Sequence, residues 1–227
     1  MNTSSTVKTG REVDNLRNLA LRMGGLAEAI LDKALRAAWS RDRRLPEEVV
    51  ADDLEIDRID VEIDQTVLSV LALRAPVAAD LRQVLAIKTM ATDLERVGDL
   101  ARNIAGCAER LSVRDPVTPQ PRLRSLADES QKALSRSIRA FADRDVAQAR
   151  AVLGRDDTID QLEGEVIRES ISKIRSEPGR SEQEIDLIFI AKSLERIGDH
   201  ATNIAEEVIL AAEALNLKHI HKLSDSA

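Results

Sequence analysis

The sequence predicts an all-α protein built as a tandem repeat of two up-down-up three-helix bundles. Its composition, its hydrophobic periodicity and an internal duplication support this prediction. Of the 227 residues, 43% are apolar, but only one Trp, two Phe and no Tyr are present. The core must therefore be aliphatic, which suits closely approaching helices and is unusual for a β-sandwich, whose strands favour aromatic and β-branched residues.

The duplication is clearest in two segments of twelve residues. Residues 94–105 read LERVGDLARNIA and residues 194–205 read LERIGDHATNIA, so nine of the twelve positions are identical. Further upstream the copies align at an offset of 103 residues, as in Asp53 and Asp156, instead of 100. The first copy is therefore three residues longer before its third helix, a difference that a connection between helices absorbs at little cost.

Both copies carry apolar residues at spacings of three and four, which indicates amphipathic helices. The clearest stripes begin at Ile87 in the first copy and at Leu187 in the second. Pro46, followed by two glutamates, is typical of a first helical turn. Pro76 and Pro178 separate the second helix of each copy from the third. The predicted helices are 10–41, 46–73, 78–112, 122–143, 146–176 and 181–216.

The segment from residue 115 to residue 121 is the strongest linker signal in the chain. It reads DPVTPQP, and no helix runs through prolines spaced this closely. It also lies where the duplication requires a boundary. We therefore expect a first repeat at residues 1–114, a linker at 115–121 and a second repeat at 122–227.

Charge and hydropathy limit the class of protein. The net charge is −7, whereas a nucleic-acid-binding protein usually has a basic balance or a basic stripe. No segment approaches the ~20 apolar residues of a membrane span, and the N-terminus lacks the apolar run of a signal peptide. We expect a cytoplasmic protein that neither enters a membrane nor binds nucleic acid. Its acidity favours cationic partners, either metal ions or basic protein surfaces.

Acidic residues form four pairs at a spacing of four residues, two pairs in each copy. Each pair projects outward from one helix face, and like charges at this spacing destabilise a helix. Bound cations would offset that cost, and oxygen ligands suit Mg, Ca, Mn or Fe. The alternative is a solvated surface without metal, whose acids Arg96 and Arg196 neutralise. The candidate metal ligands are Asp53, Asp57, Glu95, Asp99, Asp156, Asp160, Glu195 and Asp199.

Other residues of the repeated motif accompany these pairs. Gly98 and Gly198 lie beside the apolar stripe, where glycine costs about 1 kcal/mol of helix propensity. Close approach of a neighbouring helix would explain them. Asn103 and Asn203 extend the acidic face by one turn, where they either supply a carbonyl ligand or complete a side-chain network. His200 has no counterpart in the first copy and is expected to lie at the surface.

Nothing in the sequence predicts an active site. The single cysteine, Cys107, lies beside an apolar stripe and is expected to be a small core residue, with a reactive thiol as the alternative. His219 and His221 lie near the C-terminus and are expected to be incidental. The Glu-x-x-His motif of di-iron bundles is absent, because glycine stands at the histidine position in both copies. Neither a Gly-rich phosphate loop nor a Ser/His/Asp set is present, so no enzyme is expected.

The doubled motif at residues 94–99 and 194–206, together with MGGLA at residues 23–27, resembles the bacterial PhoU family. The resemblance covers roughly residues 10–216 and extends to the tandem three-helix layout. It implies a cytoplasmic negative regulator of phosphate uptake and of the phosphate-starvation response. It also implies two partners, the ATPase subunit of a phosphate ABC transporter and a sensor histidine kinase, and a homodimer.

The resemblance further implies where metal would bind. Members of the family carry multinuclear iron or other metals on their acidic motifs, which correspond here to Glu95, Asp99, Glu195 and Asp199, with the four aspartates of the second helices opposite. Iron is the first expectation, and Mn, Mg, Zn or Ca are alternatives. Two other interpretations stay open at this point. One is a metal-storage or metal-dependent helical bundle, and the other is a structural scaffold whose acidic faces are inert.

Overall fold

The computed structural model describes the backbone of residues 3–116 and 120–215 and the side chains from residue 10 onward. These residues form seven α-helices and one short 3-10 helix, with no strand, so the all-α prediction is confirmed. The helices are α1 (Thr3–Ser40), α2 (Leu45–Arg74), α3 (Ala78–Ser112), α4 (Pro121–Asp143), α5 (Val146–Leu153), α6 (Asp156–Ser176) and α7 (Ser181–Glu213), with the 3-10 helix at Pro178–Arg180.

The first repeat consists of α1, α2 and α3, which pack against one another. Helix α1 begins seven residues earlier than predicted, at Thr3, and continues through Gly10. Helix α2 carries Pro46 in its first turn, as predicted, and ends before Ala75, which has a left-handed φ of 44°. Between α1 and α2, the Arg41 guanidinium donates to the carbonyl of Ser112 at 2.8 Å and so caps the end of α3.

The second repeat consists of α4, α5, α6 and α7, and its middle helix is broken. The prediction of one helix over 146–176 is wrong. After Leu153, the N–H of Arg155 bonds to the carbonyl of Val152, a tight turn that stops α5. Helix α6 then restarts with Asp156 and Asp157 in its first turn, where acids favour the positive end of the helix dipole. Helix α7 ends at Glu213, and the last residue predicted for it lies outside the described residues.

The two repeats meet along α3 and α7, which run antiparallel. One buried apolar cluster includes residues of both helices, such as Leu94, Ile104, Leu194 and Ile204, none of which is exposed. The repeats therefore share one core, although a linker separates them in sequence. Their boundaries at residues 114 and 122 stay a prediction.

Buried polar groups fix the two ends of the connection between repeats. The carboxylate of Asp186, only 4% exposed, pairs with Arg110 at 2.6 Å and with Arg114 at 2.8 Å. At the end of the linker, the buried Gln120 amide donates to Ser170 at 2.9 Å and to a carboxylate of α7 at 3.0 Å. The first set joins α3 to α7 and so links the two repeats, whereas the second holds the end of the linker against the second repeat. None of the described helices combines the length and hydropathy needed to cross a lipid bilayer.

Candidate functional site

Two motif glycines bring the second helix of each repeat against the third. A Cβ atom at Gly98 would lie 2.6 Å from Oδ1 of Asp53, and one at Gly198 would lie 2.8 Å from Cδ1 of Ile159. Both distances are too short for a normal contact, so a larger residue at either position would force the side chain of Asp53 or Ile159 to move. The predicted close approach is confirmed, and it places the aspartates of α2 and α6 beside the Glu-Asp pairs of α3 and α7.

The candidate ligands therefore lie in two sets, one in each repeat. Within each set the carboxylates are near enough to repel one another, and this repulsion contributes to raised pKa values in both. The first acidic site is Asp53, Asp57, Glu95 and Asp99. The second acidic site is Asp156, Asp160, Glu195 and Asp199.

The first acidic site contains its own cations, and Arg96, considered as a neutralising residue, pairs with Glu95 at 3.4 Å and with Asp99 at 3.5 Å. Asp53, expected at the surface, is instead buried at 2% exposure, and its carboxylate accepts a hydrogen bond from Nη1 of Arg102 at 2.7 Å. The same nitrogen lies 3.6 Å from Oδ1 of Asp99. Burial raises the pKa of Asp53, and Arg102 opposes that rise. Burial, together with the nearby Asp99, also raises the pKa of Glu95, whose side chain is 26% exposed.

The second acidic site lacks such a cation. Thr202 stands at the position equivalent to Arg102, and its hydroxyl donates to Asp156 at 3.2 Å. None of the four carboxylates forms an ion pair with a described basic residue. Burial, followed by repulsion from Asp199, raises the pKa of Glu195 to about 7. Burial and neighbouring carboxylates also raise the pKa of Asp160 and that of Asp199.

Sites whose ligands are all carboxylate oxygens suit hard cations, which prefer oxygen ligands. As the side chains lie, however, the described residues contain no group of three or more His, Cys, Asp or Glu arranged to hold a metal ion. Binding would therefore require the carboxylates of a site to rotate toward one ion. A bound cation would reduce the repulsion between the carboxylates, while the raised pKa values mean that protons compete with it. The assignment of these eight residues as metal ligands stays a prediction.

The histidine of the second motif does not lie free at the surface, so that expectation is wrong. The His200 side chain is 16% exposed, and its Nδ1 lies 2.8 Å from Oδ1 of Asp93 in α3. The amide of Asn203 donates to the same oxygen at 3.1 Å, so this asparagine completes a side-chain network between the repeats. Asn103 is exposed on the other side of the interface.

The remaining sequence expectations concern the thiol and the terminal histidines. Cys107 is 3% exposed, as predicted for a core residue, and burial raises the pKa of its thiol to about 11. At this pKa the thiolate is scarce near neutral pH, which argues against a reactive thiol. His219 and His221 lie outside the described residues.

Comparison with known proteins identifies the fold and its repeats. The PhoU domain family model matches residues 20–108 and residues 123–208, one match in each repeat. This chain belongs to the PhoU family. The two matches lie on either side of the proline-rich segment and include both acidic sites.

Full-length relatives support membership of the PhoU family. The phosphate-specific transport system accessory protein PhoU homolog of Zymomonas mobilis is 37% identical over 208 residues, which cover 91% of this chain and 88% of the relative. The homolog of the same name from Pseudomonas aeruginosa is 34% identical over 214 residues, covering 92% and 87%.

Two crystal structures share the architecture. PhoU from Pseudomonas aeruginosa matches with a TM-score of 0.87 and 33% identity, over 91% of this chain and 99% of that one. The phosphate transport system regulatory protein PhoU from Streptococcus pneumoniae matches with a TM-score of 0.85 and 26% identity, over 92% and 99%. The tandem arrangement of this PhoU chain is therefore that of solved PhoU proteins along nearly their whole length.

Proposed function

We propose that this protein is a negative regulator of phosphate uptake and of the phosphate-starvation response. It acts as a cytoplasmic adaptor, not an enzyme, between the ATPase subunit of a phosphate ABC transporter and a sensor histidine kinase. The observation that supports this best is the pair of equivalent acidic sites on a PhoU fold whose relatives are named as accessory proteins of phosphate transport.

Metal binding at the acidic sites is part of the proposal. The second acidic site supports it most strongly, because its crowded carboxylates form no ion pair with a described basic residue and the pKa of Glu195 is raised to about 7. A bound iron ion, or Mn, Mg, Zn or Ca in its place, would remove the repulsion and turn an acidic face into a fixed docking surface. A homodimer would present these faces in pairs.

Affinity co-purification tests the adaptor role. Tagged protein is isolated from cells grown at high phosphate, and the transporter ATPase, the kinase and bound metals are measured in the same sample. We expect both partners and about stoichiometric metal. Alanine at Glu95, Asp99, Glu195 and Asp199 should remove the metal and derepress a phosphate-starvation reporter.

A control variant loses the same number of negative charges as the variant of the acidic sites. Alanine at Glu47, Glu62, Glu109 and Asp128 removes four exposed acids outside the sites, and it should retain metal, partners and repression. Equal derepression by both variants would contradict the proposal. Metal loading without retention of either partner would instead favour the second candidate function, metal storage, to which the crowding around Glu195 also points.

A further inference from the structure

A cavity of about 520 Å³ opens between α3 and α7. The polar side chains that line it are rich in N–H and O–H donors, and none is a carboxylate. We call it the basic cavity; its polar lining is Arg102, Asn103, Arg110, Lys192, Ser193 and Arg196. This lining is unusual for a protein whose net charge is −7.

Two of the arginines form ion pairs with buried carboxylates. Arg102 pairs with Asp53 at 2.7 Å and Arg110 pairs with Asp186 at 2.6 Å, and these carboxylates are only 2% and 4% exposed. The arginine side chains themselves are 47% and 50% exposed. The acids therefore fix the orientation of each guanidinium, while donors that they do not use remain available at the cavity. A planar guanidinium held in this way is well suited to bind an oxyanion.

The other two cations have weaker partners, and each also attracts a carboxylate of the second acidic site, Lys192 that of Glu195 and Arg196 that of Asp199. Lys192 is 59% exposed, and its ammonium lies 3.4 Å from a carboxylate of Glu163. Arg196 forms no hydrogen bond or ion pair with any described residue. Four cationic side chains thus converge on one cavity with incomplete compensation, so an anion bound among them would be stabilised.

The duplication provides an internal comparison for this face. The equivalents of Arg102, Arg110 and Lys192 in the other repeat are uncharged, and only Arg196 has a cationic equivalent. In addition, Ser193 is replaced by the buried acid Asp93. The opposite face of the α3–α7 interface therefore has one cation and one carboxylate where this face has four cations. The equivalent residues are Thr202, Leu210, Thr92 and Arg96.

An aromatic side chain completes the lining. Phe189, one of only two phenylalanines in the chain, is 54% exposed at the cavity, beside the buried Leu100. An exposed ring next to cations offers a stacking surface for a ligand that carries both charge and a planar group. We propose that the basic cavity binds a phosphate group, carried by either inorganic phosphate or a nucleotide. The basic cavity shares Arg102 with the first acidic site, but none of the proposed metal ligands lines it.

Calorimetric titration of the whole protein tests the proposal. The protein is treated with chelator to remove divalent metal, which would otherwise bridge phosphate to the acidic sites, and is titrated at low ionic strength with inorganic phosphate and, separately, with ATP. We expect at least one of them to bind with a Kd below about 1 mM. Arg196→Gln and Lys192→Gln should each weaken binding about tenfold, since each removes a charge-assisted contact.

The matched control is Arg96→Gln, the equivalent change on the opposite face, which should leave binding unchanged. Melting curves of all variants check that they fold. Tighter binding of ATP, reduced by Phe189→Ala, would identify a nucleotide site, and equal binding of both ligands would identify a site for the phosphate group alone. The proposal is overturned if neither ligand binds, or if Arg196→Gln and Lys192→Gln weaken binding no more than Arg96→Gln does.

Discussion

The two acidic sites come from one repeated pattern but differ in the cations that contact them. Arg96 lies 3.4 Å from Glu95 and 3.5 Å from Asp99, whereas Arg196 forms no ion pair with a described residue. In the first site, Arg102 contacts Asp53 at 2.7 Å and approaches Asp99 at 3.6 Å. In the second, Thr202 offers a single neutral hydrogen bond to Asp156. The same four carboxylates therefore have arginine partners in one repeat and form no ion pair with a described residue in the other.

This difference predicts an order of metal affinity. A metal ion at the first acidic site must compete with a guanidinium that is already in place, whereas at the second it relieves repulsion that Lys192 and Arg196 offset only from a distance. We therefore expect the second acidic site to fill first. The following predictions test this order, and they use Mn²⁺ as the probe because it is stable in air.

The largest effect is expected from removing ligands of the second acidic site. Glu195→Gln with Asp199→Asn should weaken the tightest Mn²⁺ binding by about a hundredfold, because two direct ligands are lost and even outer partners of metal sites are worth tenfold or more. Glu95→Gln with Asp99→Asn is the matched change in the first site, and it should leave the tightest binding nearly unchanged. Calorimetric titration measures both. The opposite ranking would contradict the comparison.

The next effect concerns the internal cation itself. Arg102→Thr should strengthen Mn²⁺ binding at the first acidic site about tenfold, because the competing charge is gone. Without metal, it should lower the free energy of unfolding by about 1–2 kcal/mol, since Asp53 stays buried without a partner while the lost arginine was half exposed.

Thr202→Arg is the reciprocal change and should weaken binding at the second acidic site. Titration with Mn²⁺ and denaturant unfolding of the metal-free proteins check both variants. An unchanged first-site affinity in Arg102→Thr would show that Arg102 does not control metal binding.

Metal binding at the second acidic site should depend on pH near neutrality. The pKa of Glu195 is raised to about 7 by burial and by its neighbours, so protons compete with metal below that value. We expect the affinity to fall by up to about tenfold per pH unit between pH 7 and pH 5. Titrations across this range measure the slope, and Glu195→Gln should flatten it. A flat profile for the unmodified protein would contradict the raised pKa.

The smallest effect is on stability without metal. Because the folded-state pKa of Glu195 lies above its unfolded value of 4.5, the group's contribution to stability is fully present below pH 4.5 and is lost as the pH rises through about 7. Glu195→Gln should therefore stabilise the metal-free protein at pH 8, by about 1 kcal/mol after allowance for solvent screening, and by little at pH 4.5. Denaturant midpoints at the two pH values measure this difference. An equal effect of Glu195→Gln on stability at pH 8 and at pH 4.5 would contradict the raised pKa of Glu195.

Local features of the sequence predicted much of this fold. The apolar stripes gave the helices, and Gly98 and Gly198 predicted the close helix contacts, because a glycine inside a helix has a cost that packing must offset. The break after Leu153 was missed. Gly154 and the two aspartates that follow it were available as a signal, but the repeat suggested one continuous helix.

Contacts between distant segments could not be predicted in the same way. The pairing of Arg102 with Asp53 spans 49 residues, and the approach of His200 to Asp93 spans 107 residues. Both depend on which faces of the helices meet, and helical periodicity does not specify the orientation of one bundle against another. The one clue to the first contact was the spacing of three residues between Asp99 and Arg102. The basic cavity was missed for the same reason, since its cations come from both repeats.

The antiparallel meeting of α3 and α7 has a consequence for the integrity of the chain. Each helix covers apolar side chains of the other within one continuous cluster. If a protease cut the chain between residues 115 and 121 and the halves separated, each half would expose the apolar side chains that pack against the other half. The two pieces would stay together as a nicked but folded protein, and separately expressed halves should find each other in solution and assemble.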